Sequence, residues 1–151
     1  MTDTFDGETR RRIMRSVRTS DTEPEQRLEA ELKRLGLRFR RNDRGVFGVP
    51  DFVFRKDRLA VFVDGDFWHG RDWFENGLAP ASNSEFWIAK FERNRMRDRL
   101  VDVTLRSSGW SVLRLWGSDV KRSPEACGSK VRARLRRLAR TRRSPRKPSA
   151  E

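Results

Sequence analysis

Apolar and polar positions alternate in a readable way along most of this chain. From Thr22 to Gly36, TEPEQRLEAELKRLG places Leu28, Leu32 and Leu35 on one stripe at helical spacing. Thr22 is a ready N-cap, Glu25 stands three residues on at capping-box spacing, and Gly36 suits the residue just past the helix end. LRFRRN then predicts a short edge strand, and VFGVPDFVF, Val46 to Phe54, a strand interrupted or entered at Pro50. RKD forms a turn, and LAVFVDG, Leu59 to Gly65, is apolar enough for a buried central strand. Between Arg71 and Ser84 no regular period is visible. A helix follows from Glu85 to about Arg106, with Trp87, Phe91, Asn94, Asp98, Val101 and Leu105 roughly on one face. WSVLRLW, Trp110 to Trp116, reads as another strand, and Ser123 and Pro124 open a last helix striped by Val131, Leu135 and Leu138.

Helix, three strands, helix, strand, helix is the order of an α/β protein, a small mixed central sheet with both faces covered by helices. One domain is expected over residues 21–140. A basic N-terminal arm precedes it at 1–20, where RRIMRSVRT is either a short helix or an arm on a phosphate backbone, and a disordered basic tail follows at 141–151.

Charge changes the picture from fold to partner. With 35 Lys and Arg against 22 Asp and Glu, the net charge is +13 and the isoelectric point about 11.3. That balance implies a polyanion, and nucleic acid is the default. A membrane surface is the rival, disfavoured because no continuous amphipathic helix with a large apolar face gathers the basic residues, and no segment approaches bilayer length. The single cysteine, Cys127, excludes an intrachain disulfide and a multi-thiolate zinc site. A cytoplasmic, nucleoid-associated monomer is the simplest expectation.

Candidate chemistry gathers around DGDFWHG, Asp64 to Gly70, which holds the only histidine, His69. A hairpin around RKD brings Asp51 and Asp64 to the same sheet end, where with Asp66 they could hold a hard divalent cation. His69 could take a proton from water. Each residue has a structural alternative: Asp51 as a turn residue, Glu25 as a capping-box residue only, His69 as an imidazole beside the core. Phe67 and Trp68 are either core anchors or a wedge that enters a base stack.

Four motifs in register carry a resemblance: TR..IM..V...DT..E, G.PDFVF, VFVDGDFWHG, and EFW..K..RN..RD followed by GW.VL.LW. Together, over roughly Thr9 to Val120, they resemble the very-short-patch repair (Vsr) endonucleases, whose fold is of the PD-(D/E)xK nuclease class. The resemblance implies magnesium-dependent nicking of double-stranded DNA, 5′ to the thymine of a T:G mismatch left by deamination of 5-methylcytosine. Manganese could replace magnesium, and a cytosine methyltransferase or mismatch-repair protein is an implied partner. Asp51 would be the central metal ligand, with Val63 contributing its carbonyl and Asp64 joining the site. His69 would be the general base, paired with Glu25. Phe67, Trp68 and Met14 would form the wedge. Asn94, Asp98 and Asp66 would support the site, and Arg11, Arg12, Arg15, Lys90 and Arg97 would contact phosphates. Where many members carry structural zinc ligands, this chain has Asp66, Arg71, Trp73 and Gly117, so no structural zinc is expected; an Asp66–Arg71 ion pair and packing by Trp73 would replace it. Asp64 stands where those members carry a histidine. The alternatives are a related PD-(D/E)xK nuclease of restriction or other DNA-structure specificity and a non-catalytic DNA-binding module.

Overall fold

The structure, a computed structural model, describes residues 21–143. Its elements are α1 (Glu23–Arg34), β1 (Arg40–Arg41), β2 (Phe52–Phe54), β3 (Leu59–Asp64), α2 (Arg71–Asn76), α3 (Ser84–Ser107), β4 (Ser111–Trp116), α4 (Gly117–Arg122) and α5 (Pro124–Arg143). The strands form one sheet in the order β1-β2-β3-β4. The first two pairings are antiparallel and β3 with β4 is parallel. This is the mixed α/β architecture expected of a PD-(D/E)xK nuclease.

The two-residue period of the strands sorts side chains onto two cores. Phe52, Phe54, Leu59, Val61 and Leu115 face α1 and α5, where they meet Leu28, Leu32, Val131 and Leu135; Cys127 is buried in the same core. Val53, Ala60, Phe62 and Val112 face the other way, against Leu105 and Val101 of α3. By the same alternation Asp64 and Arg114 fall on the α3 face, at the end of the parallel pair. Open α/β sheets place their ligands at the carboxyl ends of their strands.

The α1 reading holds in detail. Thr22 and Glu25 form the capping box, and beyond the helix Gly36 takes φ +72° while the Leu37 N–H reaches the Leu32 carbonyl at 3.0 Å. The α3 face is also as read, with Trp87, Phe91, Asn94 and Leu105 buried. Three readings differ. Only Arg40–Arg41 and Phe52–Phe54 are strand in the LRFRRN and VFGVPDFVF segments. Val46 to Val49 instead form a turn, closed by Val49 N–H to the Val46 carbonyl at 3.0 Å, with Val49 at φ +47° and Pro50 barring continuation of a ladder. Finally, α2 occupies a segment that carried no visible period and α4 one for which no element was read, because each has six residues, too few to show a period.

Candidate active site

Two acid clusters lie at this end of the sheet. The first is Asp51 with Glu25. Asp51, just before β2, accepts the Val63 N–H at 2.7 Å through Oδ2. Glu25, buried in the first turn of α1, takes both the N–H and the hydroxyl of Thr22 on Oε2, at 2.7 and 2.6 Å. Its Oε1 is buried with no hydrogen-bond donor, 3.5 Å from Arg41 Nη2. The two carboxyl groups are neighbours that perturb each other, and a proton kept by Asp51 can be shared with Glu25. Burial, then the hydrogen bond and charge of Glu25, push Asp51 up to about 8. Glu25 stays below its usual range, because its bonds to Asp51 and Thr22 outweigh burial. A buried acid pair with an orphaned oxygen fits a cation: a divalent ion would replace the shared proton and satisfy Oε1.

The second cluster is Asp64, His69 and Asp98, whose ligand atoms all lie within 4.8 Å of one another, a grouping able to hold a divalent ion. His69 Nδ1 is 2.5 Å from Asp98 Oδ2, and Nε2 is 3.7 Å from Asp64 Oδ1. Burial lowers the His69 pKa, but the Asp98 hydrogen bond and the Asp64 and Asp98 charges outweigh it, so the net shift is upward. Asp64, buried, is itself raised by desolvation against the pull of His69 and Arg114.

The loop carrying DGDFWHG is fixed locally. His69 N–H reaches the Gly65 carbonyl at 3.1 Å, and Asn94 Nδ2 on α3 donates to the Trp68 carbonyl at 2.7 Å. Gly70 takes φ +64°, and a Cβ there would stand 2.7 Å from the Phe91 ring, so only glycine fits. Phe67 is 47% exposed and packs edge-on against Trp68 and Trp87 at 5.1 and 4.9 Å. It is therefore both anchored and presented at the surface, while Trp68 is half-buried.

The structure brings together Glu25, Asp51, Val63 and, beside them, Asp64, His69, Asn94 and Asp98. The expected pairing of Glu25 with His69 is corrected: Asp98 is the partner of His69, and Glu25 is turned toward Thr22 and Asp51. The reason is the capping geometry of α1, which commits Glu25 to its own helix start, whereas α3 places Asp98 directly beneath the imidazole. Lys90 is half-buried and Arg97 exposed, with Arg97 Nη2 on Asn94 Oδ1 at 3.2 Å. Arg11, Arg12, Met14 and Arg15 lie outside the described residues.

Two residues escaped the sequence reading. Arg41 stacks 4.6 Å over Phe52, donates to the Asp51 carbonyl at 3.1 Å and pairs with Glu29. Arg114 binds Asp64 and Asp102 and lies 4.2 Å over Phe62. The available signal was a lone arginine inside the apolar strand SVLRLW, hidden among 35 basic residues.

Asp66 is not part of either cluster. Its carboxylate takes the Ser118 N–H at 2.9 Å and Arg71 Nη1 at 3.2 Å, while Arg71 also reaches Asp119 at 3.3 Å and lies 5.2 Å over the Trp116 ring. A Cβ on Gly117 would stand 3.8 Å from Asp66 Oδ1. The Asp66–Arg71 ion pair thus fastens the DGDFWHG loop to the start of α4. Trp73 is half-buried and lines a cavity of about 420 Å³ with Phe67, Leu78 and Phe91. Asp66→Ala removes the acceptor of both the Ser118 N–H and its hydroxyl and one partner of Arg71; it should cost about 1–2 kcal/mol, a fall of a few degrees in Tm. A zinc chelator should leave the wild-type Tm unchanged. Thermal melts of both proteins with and without chelator check this, and a chelator-sensitive wild type would contradict it.

Among the described residues no helix is long and apolar enough to cross a membrane. Residues 2–75 match the family model for DNA mismatch endonuclease Vsr. The chain is 46% identical over 129 residues to the Type II nicking enzyme V.NmeDIP of Neisseria meningitidis serogroup C, covering 85% of this chain and 87% of that one. It is 45% identical over 119 residues to the Type II nicking enzyme V.HpaIIP of Haemophilus parainfluenzae, covering 78% and 84%. With the DNA mismatch endonuclease Vsr of Escherichia coli K12 it shares 40% identity over 116 residues, covering 77% and 74%. Likeness at this level across most of the chain, on a nuclease fold with an Asp–His–Asp cluster at the strand ends, places the protein in the Vsr family of DNA mismatch endonucleases.

Proposed function

We propose that the protein nicks one strand of double-stranded DNA, 5′ to the thymine of a T:G mismatch, in a magnesium-dependent reaction that starts repair of deaminated 5-methylcytosine. The observation that carries this reading is the meeting of a buried acid pair, Asp51 with Glu25, and a histidine braced by Asp98, beside the exposed ring of Phe67. The relatives support the finer points: two are named nicking enzymes and one a mismatch endonuclease.

Asp51 and the Val63 carbonyl would hold Mg²⁺, or Mn²⁺ in its place, with Asp64 beside them. When bound, the cation supplies charge stabilisation at the phosphoryl oxygens. Asp98 accepts from His69 Nδ1–H, which fixes the tautomer and leaves Nε2 to take a proton from the attacking water. Glu25 shares the charge of Asp51 rather than orienting the base. Phe67 and Trp68 are the wedge, since Phe67 is held by three neighbouring rings and still half-exposed. Lys90 and Arg97 on α3 are phosphate contacts, with Arg11, Arg12 and Arg15 as further contacts and Met14 as a further wedge residue. A methyltransferase that creates 5-methylcytosine is the partner this substrate implies.

His69→Ala tests the assignment. The variant should bind T:G duplex with wild-type affinity and nick it at least about 10²-fold more slowly, the lower bound for a lost general base. Wild-type nicking by this variant would remove His69 from the mechanism. A wild type that never nicks in Mg²⁺ or Mn²⁺ would favour a non-catalytic DNA-binding module.

A further inference from the structure

Arg114 is the least expected charge in the fold. It sits in β4 opposite Phe62 of β3, on the face that packs against α3. Its guanidinium is fixed from three sides. Nε and Nη2 bind Asp102 Oδ1 at 2.9 and 2.8 Å, Nη2 reaches the Asp98 carbonyl at 3.3 Å, and the plane rests 4.2 Å over the Phe62 ring. The remaining nitrogen, Nη1, takes both oxygens of Asp64, at 3.0 and 3.2 Å. A planar fork held this way is rigid, unlike a lysine ammonium on its flexible stem.

Asp64 has a second nitrogen neighbour, His69 Nε2, but that contact is 3.7 Å, beyond hydrogen-bond range. The other imidazole nitrogen is already committed to Asp98 at 2.5 Å. If Asp64 were released, the nearest remaining nitrogen partner of its carboxylate among the described residues would be Nε2. The released carboxylate would then occupy the space at Nε2 that the attacking water needs.

We propose that Arg114 is a positioning residue for nicking: by holding both oxygens of Asp64, it keeps that carboxylate off His69 Nε2 and leaves the nitrogen open to the attacking water. This rests on the reading of His69 as the base. In the reaction Nε2 takes one proton from water, the resulting hydroxide forms a bond to phosphorus, and the bond to the leaving oxygen breaks; Arg114 exchanges no proton or electron.

His69 is the only histidine, so in untagged protein its two ring nitrogens give a single pair of ¹⁵N NMR signals. In the wild type at mildly alkaline pH and without metal, Nδ1 should carry the proton and Nε2 should be bare. In Arg114→Leu, Nε2 should become protonated under the same conditions. Adding Asp64→Asn to that variant should return Nε2 to the bare state. Nicking at saturating DNA should fall about 10-fold to 10²-fold in Arg114→Leu, the range for a misplaced reacting group, with the Kd for T:G duplex unchanged. Arg114→Lys, which keeps the charge but not the fork, should fall between wild type and Arg114→Leu in both readouts and serves if the leucine variant does not fold. Unchanged His69 signals in folded Arg114 variants, even with a lowered Tm, would overturn the proposal. If His69→Ala is inactive while Arg114→Leu nicks normally, the Arg114 proposal alone fails. If His69→Ala nicks normally, the reading of the base fails first.

Discussion

Asp51→Asn is expected to lower nicking at least about 10³-fold while raising the Tm of the metal-free protein at pH 8. The two effects have one cause. A bound cation contributes several kcal/mol of transition-state stabilisation, and each 1.4 kcal/mol is tenfold in rate, so loss of its central carboxylate is severe. In the metal-free protein, however, the same carboxylate is a burden. It is held against Glu25 in a buried setting that pushes it up to about 8. Asparagine can still accept the Val63 N–H through its carbonyl and can donate its amide to Glu25, whose Oε1 otherwise lacks a donor. The gain should be on the order of 1–2 kcal/mol, some degrees of Tm. Single-turnover nicking and thermal melts in chelator check it. A destabilised Asp51→Asn protein would mean that the acid pair is not strained, and rapid nicking would mean that Asp51 does not hold the cation.

The stability of the metal-free protein should also fall with pH in a window that the acid pair defines. An aspartate titrates near 3.9 when unfolded, whereas Asp51 in the fold titrates at about 8. The folded state therefore keeps a proton that the unfolded state has lost. Stability from this group is full below the unfolded value and is lost as pH rises toward the folded one, at up to about 1.4 kcal/mol per unit. His69 acts in the same direction, because its pKa is raised above 6.5. Mg²⁺ competes with the shared proton, so the Tm increase it gives should be larger at pH 8 than at pH 5. The difference between wild type and Asp51→Asn isolates the term from the other titrating groups. Equal Mg²⁺ stabilisation of the two proteins would place the cation away from Asp51.

Several parts of the site were legible because a local rule fixed each one. The hairpin through RKD brings Asp51 to the β3 backbone. The helical period of α3 puts Asn94 and Asp98 on the face that carries Trp87 and Phe91. The capping-box spacing correctly placed Glu25 in the first turn of α1. The pairing of Glu25 with His69 was implied by the family resemblance and not by that rule; the capping geometry turns Glu25 to Thr22 and Asp51, and Asp98 meets His69. The choice depends on how the loop from Gly65 to Gly70 folds back, which rests on the Asn94 bond to Trp68 and the tight fit of Gly70 against Phe91, contacts between residues far apart in the chain. Arg41 and Arg114 were hidden for a different reason. Composition marks arginine as a DNA contact in so basic a chain, and only packing shows that these two are turned inward onto carboxylates. Asp66 was read correctly as a partner of Arg71, but its bonds to Ser118 required the position of α4, a helix too short to announce itself.

One experiment tests the substrate directly. End-labelled duplexes with a central T:G, U:G or T:A pair, each with randomised flanks, are incubated with the protein in Mg²⁺, and the cut positions are read on both strands. The account predicts a single nick 5′ to the mismatched thymine, on that strand only, with T:A duplexes left intact. Equal cutting of T:G and T:A duplexes, or breaks in both strands, would contradict it.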